Sequence, residues 1–160
     1  MYNTGQAAVL VERVLLRRGE KVYDQFVQAF VNTVKTFKSG DPASEDTYIG
    51  AITRAPQLDI LQAQVDDAKA KGATLLTGGQ RGTGEGNWFE PTVLSNVSHS
   101  MEIMREESFG PVIGIQKVSS DAEAVALMND TRYGLTAGVF TPDEARAKAV
   151  LEQVNAGTVY

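Results

Sequence analysis

Four stretches carry side chains that could do chemistry: Asn3-Thr4-Gly5-Gln6-Ala7-Ala8, the glycine-rich run from Gly78 to Gly86, His99 with Glu102 and Glu106 nearby, and Glu106-Glu107-Ser108-Phe109-Gly110-Pro111-Val112. His99 is the only histidine. A metal site needs three or four converging ligands, so a lone histidine beside two acids reads as a solvated loop residue. A triad of Ser108, His99 and Glu106 lacks the strand-to-helix elbow that exposes a nucleophilic serine. Gly78-Gly79-Gln80-Arg81-Gly82-Thr83-Gly84-Glu85-Gly86 has neither the lysine and hydroxyl of a phosphate loop nor the spacing of a dinucleotide fingerprint, and reads as a turn. The chain has no cysteine, which excludes disulfides, thiolate metal ligands and a catalytic thiol.

Composition sets the frame for those residues. With 160 residues the chain is long enough for one cored domain and short for two, so residues 1–160 are read as a single domain. Its 42% hydrophobic and 22% charged residues are ordinary for a globular protein, and no apolar run reaches the roughly 20 residues that cross a bilayer. A net charge of -5 offers no footprint for nucleic acid or an anionic membrane. No secretory signal follows Met1, so a cytoplasmic location is expected.

The elements that must position these residues follow from periodicity. Val9 to Leu16 is a mostly apolar run suited to a buried strand, and Tyr23, Phe26, Val27, Phe30, Val34 and Phe37 then recur at helical spacing. A second helix should start near Pro56 and present Leu58, Leu61, Val65 and Ala68 until Gly72 ends it, followed by a strand from Ala73 to Leu76. Gly78 to Asn87 reads as a turn before a short strand at Thr92-Val93-Leu94. Ser98 to Glu107 reads as a turn plus short helix, and Val112 to Val118 as a buried strand. Ser120 and Glu123 form a capping box for a third helix. Ala137 to Phe140 reads as a strand. Thr141, Pro142 and Glu144 combine a cap, a first-turn proline and a box acid for a last helix, and Thr158-Val159-Tyr160 starts another strand. Strands alternating with helices predict an α/β fold with a largely parallel sheet and helices on both faces.

Taken together, the two motifs at residues 3–8 and 106–112 resemble the aldehyde dehydrogenase superfamily, whose first motif reads Asn-x-Gly-Gln-x-Cys and whose second reads Glu-Glu-x-Phe-Gly-Pro. The resemblance runs to the C-terminus through Val11-Glu12-Arg13, Gly40-Asp41-Pro42, Ile49-Gly50, Gly72-Ala73, Pro91-Thr92-Val93, Tyr133-Gly134-Leu135, Val139-Phe140-Thr141 and Ala156-Gly157-Thr158-Val159, in order. It implies a catalytic-domain fold in which the nucleophile position is Ala8. It also implies that Glu107 pairs with the nicotinamide ribose and that Phe109 packs near the nicotinamide of NAD or NADP. The chain departs from the family at Ala7-Ala8-Val9-Leu10, in a longer Arg17-Arg18-Gly19-Glu20 turn, and at Ile49-Gly50-Ala51, which lacks a proline.

The family reaction needs a thiolate to add to the aldehyde, an oxyanion hole, a nicotinamide to take the hydride and a base to activate water. By the resemblance, the base and most cofactor contacts belong to a Rossmann-type domain that precedes this segment and is absent here. The expected function is therefore the catalytic-domain portion of an NAD(P)-dependent aldehyde dehydrogenase, inactive by itself and binding the cofactor weakly or not at all. The alternative is a non-catalytic scaffold or interaction module, engineered or a natural truncated paralogue, able to dock on a full-length homologue. The resemblance implies a domain that packs one side against the cofactor domain and uses its terminal strands in assembly. Apolar surface and a free sheet edge near Thr158-Val159-Tyr160 are therefore expected to be exposed and to favour self-association as a homodimer or higher oligomer, with Val9, Leu10 and Val159 covered by a neighbour or by local rearrangement.

Overall fold

The computed structural model describes residues 1–17 and 19–160. Arg18, within the turn expected to be longer than usual, lies outside the described residues.

Strands β1 (Arg13–Arg17), β2 (Thr74–Thr77), β3 (Thr92–Ser95) and β4 (Val112–Val118) form one sheet in the order β1-β4-β3-β2. β1 and β3 flank β4 in parallel, and β2 joins β3 antiparallel through the glycine-rich turn. Because alternate side chains leave opposite faces of a strand, each strand feeds two cores. Val14, Leu16, Leu76, Val93, Ile113 and Ile115 meet Val31 and Val34 of α1 (Glu20–Val34) on one face. Leu15, Leu75, Leu94 and Val112 meet Leu58, Leu61, Val65 and Ala68 of α2 (Ala55–Ala70) on the other. The expected α/β fold, with a largely parallel sheet and helices on both faces, is what the chain adopts. A short 3-10 helix, Glu102–Met104, adds Ile103 and Met104 to the α2 side and delivers the chain to the second motif.

α3 (Asp121–Asn129) begins at the expected capping box, with Ser120 Oγ accepting the Glu123 N–H at 3.1 Å. β5 (Thr136–Ala137) and β6 (Thr158–Val159) pair in parallel in a separate two-stranded sheet, linked through α4 (Glu144–Leu151). Among the described residues, side-chain bonds to α3 and its end tie this unit to the rest. Arg146 grips Asp121 through two bonds of 2.7 and 2.5 Å, and the Asn129 side chain bonds Gln153 O and Asn155 N.

Four local expectations are corrected. The first strand starts at Arg13 and not at Val9, because Ala7–Leu10 closes a turn, with Leu10 N–H bonded to Ala7 O at 3.1 Å, that leaves Val9 62% exposed. Of the run from Ala137 to Phe140 only Ala137 is strand, in an element that begins one residue earlier at Thr136, and Phe140 is fully exposed. The last helix is capped by Asp143, whose carboxylate accepts the Arg146 N–H, while the Thr141 hydroxyl is turned to the Asp143 N–H and Pro142 stays outside the helix. On α1, Phe26 is 36% exposed and stacks on Phe30, so the inward face is carried by Val31 and Val34 more than by aromatics.

Candidate functional site

The first motif is a tight left-handed turn. Asn3, Thr4 and Gly5 have φ of 50, 57 and 78 degrees, a region that a β-branched residue such as Thr4 enters only when its surroundings hold it there. Those surroundings are visible. Buried Thr4 Oγ1 accepts the Gly50 N–H at 2.9 Å, and Gln6 Oε1 accepts the Thr53 N–H at 2.9 Å. The Ile49-Gly50-Ala51 segment thus braces the first motif, a role its spacing did not reveal.

Gly5 then touches the second motif. A Cβ built on Gly5 would lie 1.9 Å from the Gly110 carbonyl oxygen, so the two backbones meet with no room for a side chain between them. Seven residues further on, Glu12 Oε1 accepts the N–H groups of both Ser108 and Phe109 at 3.1 Å. Ala8 sits in the exposed Ala7–Leu10 turn between these two anchors, so residues about a hundred positions apart share one locality.

In the second motif the side chains diverge. Glu107 is exposed, Ser108 is buried, and Phe109 is half-buried with a left-handed φ of 48 degrees. α2 supplies two donors beneath the loop, Gln57 Nε2 to Ser108 O at 2.6 Å and Gln64 Nε2 to Glu107 O at 3.3 Å. Glu106 pairs with Arg132 and accepts from the Tyr133 hydroxyl at 3.2 Å. Burial pushes the Glu12 carboxyl above the ordinary glutamate value; its two backbone donors oppose that shift, and the nearby Glu107 charge adds to it.

His99 is not the solvated loop residue its neighbours suggest. It is 9% exposed, and Nδ1 lies 3.0 Å from Asp130 Oδ2, with neither Glu102 nor Glu106 as partner. The His99 hydrogen bond, followed by Arg105, holds the Asp130 carboxyl below its ordinary value. Among the described residues no group of three metal-ligating side chains converges, and no helix is long and apolar enough to cross a membrane. Sequence reasoning singled out Ala8, Glu107 and Phe109 and did not single out Thr4, Glu12, Gln57 or Gln64, which brace the two loops that carry them. Their partners are distant in sequence, and Glu12 was visible only as one letter of a landmark.

The family model described as aldehyde dehydrogenase family matches residues 1–160. A succinate-semialdehyde dehydrogenase [NADP(+)] of Deinococcus radiodurans is 41% identical over 158 residues, covering 99% of this chain and 33% of the relative. Among solved structures, a succinate-semialdehyde dehydrogenase of Burkholderia pseudomallei superimposes with a TM-score of 0.94 at 34% identity, over 99% of this chain and 32% of that one. A point mutant of betaine aldehyde dehydrogenase from Staphylococcus aureus, in complex with NAD+, gives 0.91 at 36% identity over 99% of this chain and 33% of that one. The chain spans about a third of the length of the curated relatives it matches.

Proposed function

The chain belongs to the aldehyde dehydrogenase family, and from that premise we propose that its 160 residues are the catalytic-domain portion of an NAD(P)-dependent enzyme oxidising aldehyde to carboxylic acid, with Ala8 at the nucleophile position. The observation that carries this reading is the contact of Gly5 with Gly110, which seats the turn holding Ala8 against the loop holding Glu107 and Phe109.

The second loop suits the nicotinamide half of the cofactor. An exposed carboxylate at Glu107 is an acceptor for vicinal ribose hydroxyls, and the half-buried Phe109 ring offers an apolar face two residues away. When bound, the cofactor would supply the hydride acceptor. What this chain contributes is a braced loop, an exposed carboxylate at Glu107 and the turn that carries Ala8. It brings no thiol to form a covalent adduct with the aldehyde, since Ala8 ends in a methyl group and the chain has no cysteine.

The expected outcome is no NAD(P)-dependent aldehyde oxidation above background by the purified chain. Turnover that survives removal of host enzymes would overturn the reading. NAD+ should bind with millimolar or poorer affinity, on the order of -4 kcal/mol, and calorimetry returning a micromolar value would count against a site that needs a second domain. Ala8→Cys tests the position itself: a thiol there should gain reactivity toward an activated ester.

The second reading is a non-catalytic module that docks on a full-length relative or on a second copy. Retention of both braced loops around an inert Ala8 favours it. Capture of a complete homologue by the immobilised chain, with no gain of esterase activity in Ala8→Cys, is the result that would place it first.

A further inference from the structure

The Glu107–Phe109 loop is held from both sides. Below it, Gln57 and Gln64 of α2 donate to the carbonyls of Ser108 and Glu107. From the other side a single oxygen, Glu12 Oε1, accepts both the Ser108 and the Phe109 N–H at 3.1 Å. Arg13, the next residue, donates to Met104 O at 3.3 Å at the end of the preceding 3-10 helix, so consecutive residues grip the segment at two points. Phe109 lies in the left-handed region at φ 48 degrees, which a bulky residue leaves unless its peptide is fixed. That angle sets the directions in which the chain presents Glu107 and Phe109. Glu12 also lies four residues after Ala8, so one side chain couples the nucleophile-position turn to the opposing loop.

We infer that Glu12 is a positioning residue: its carboxylate holds the Ser108–Phe109 peptides in the turn that presents Glu107 and Phe109 to the nicotinamide half of the cofactor. This rests on the reading of that loop given above. A half-buried carboxylate is a costly way to fill space, and its partial burial pushes the Glu12 carboxyl up, so a group serving only as packing would be better neutral. Two charge-assisted bonds to adjacent peptides are what the charge supplies.

The test combines residue-resolved amide exchange with an NAD+ titration on the 160-residue chain, its Glu12→Ala and Glu12→Gln variants, and Glu107→Ala. Glu12→Ala should speed exchange at Ser108 and Phe109 by about tenfold or more, with β3 and β4 amides unchanged, and should weaken NAD+ binding to the extent that Glu107→Ala does. Glu12→Gln keeps an acceptor and should retain part of the protection. Unlike the parent, it should show no change in that protection, after correction for intrinsic exchange, across the pH range where a glutamate titrates. Unchanged exchange at the two amides, or a uniform rise across the sheet, overturns the inference. So does a freed loop that leaves NAD+ affinity intact while Glu107→Ala lowers it. If Glu107→Ala itself has no effect on NAD+, the cofactor reading of the loop fails, and the exchange data still decide whether Glu12 holds it. Should Glu12→Ala not fold, the Gln variant's loss of pH dependence carries the decision.

Discussion

Two carboxylates near the site respond to their surroundings in opposite directions. Asp130 is held below its ordinary value, first by the His99 hydrogen bond and then by Arg105, whereas Glu12 is raised chiefly by burial. Linkage gives the signs. A lowered acid contributes stability that is present above its unfolded value, 3.8 for Asp130, and is lost as pH falls through the lower folded value. A raised acid does the reverse: the contribution of Glu12 is fully present below its unfolded value of 4.5 and is lost as pH rises through the folded one. Asp67 and Asp121 are lowered too, so acid unfolding of the parent chain reports several groups together. A difference measurement isolates one. Urea midpoints of the parent and Asp130→Asn should differ near neutral pH, with the variant less stable, and should converge in acid as pH falls through the lowered Asp130 value and its carboxylate protonates. A gap that persists into acid would mean that the His99 contact depends on shape and not on charge.

Between the elements, a second tight constraint is the approach of the second motif to α2. A Cβ on Gly110 would lie 2.5 Å from Leu61 Cδ1, and Leu61 is fully buried in the core between α2 and the sheet. Gly110→Ala should destabilise by about 1–3 kcal/mol through overpacking. Leu61→Ala should cost about 2–5 kcal/mol through the cavity it leaves. Because the added methyl would enter the space that leucine vacates, the double variant should cost less than the two single costs added together, and strict additivity in denaturant unfolding would place the strain elsewhere. α2 is also where the sequence was most legible, since Leu58, Leu61, Val65 and Ala68 repeat on one face between Pro56 and Gly72 and are all buried. Legibility failed where a side chain had a choice of partner. Thr141 looked like the cap of α4, but its hydroxyl serves the Asp143 N–H and the cap passes to Asp143. Val9 looked like strand, but the turn that closes at Leu10 takes it out of the sheet. His99 and Glu12 could not be placed from local pattern because their partners lie 31 and 96 residues away. The two motifs could be placed side by side only through the resemblance to a family.

At the scale of the molecule, the two sheets differ in how well they are covered. The four-stranded sheet has a buried core on each face, whereas β5 and β6 contribute two residues each, and their surroundings expose Leu135, Phe140, Val159 and Tyr160. A two-stranded ribbon is marginal by itself, and its open edges present unpaired N–H and C=O groups. Val159 is 41% exposed and Val9 62%, so local rearrangement within the chain does not cover them, and the expectation that they are covered rests on a second copy alone. We therefore expect self-association through the β5–β6 face, as a homodimer or higher oligomer. A stable contact of this kind buries on the order of 1,000 Å² or more, which Phe140 and Tyr160 could anchor as large exposed rings. Light scattering across a wide concentration range should show mass rising above that of one chain, and Phe140→Asp should return it toward the monomer while leaving the thermal midpoint of the dilute chain unchanged, because the Phe140 side chain is already fully exposed. A single-chain mass at every concentration would remove the idea. Association that survives Phe140→Asp but is lost on changing Val9 would move the interface from the β5–β6 face to the turn that carries Ala8, where Val9 is the exposed apolar side chain a second copy would cover.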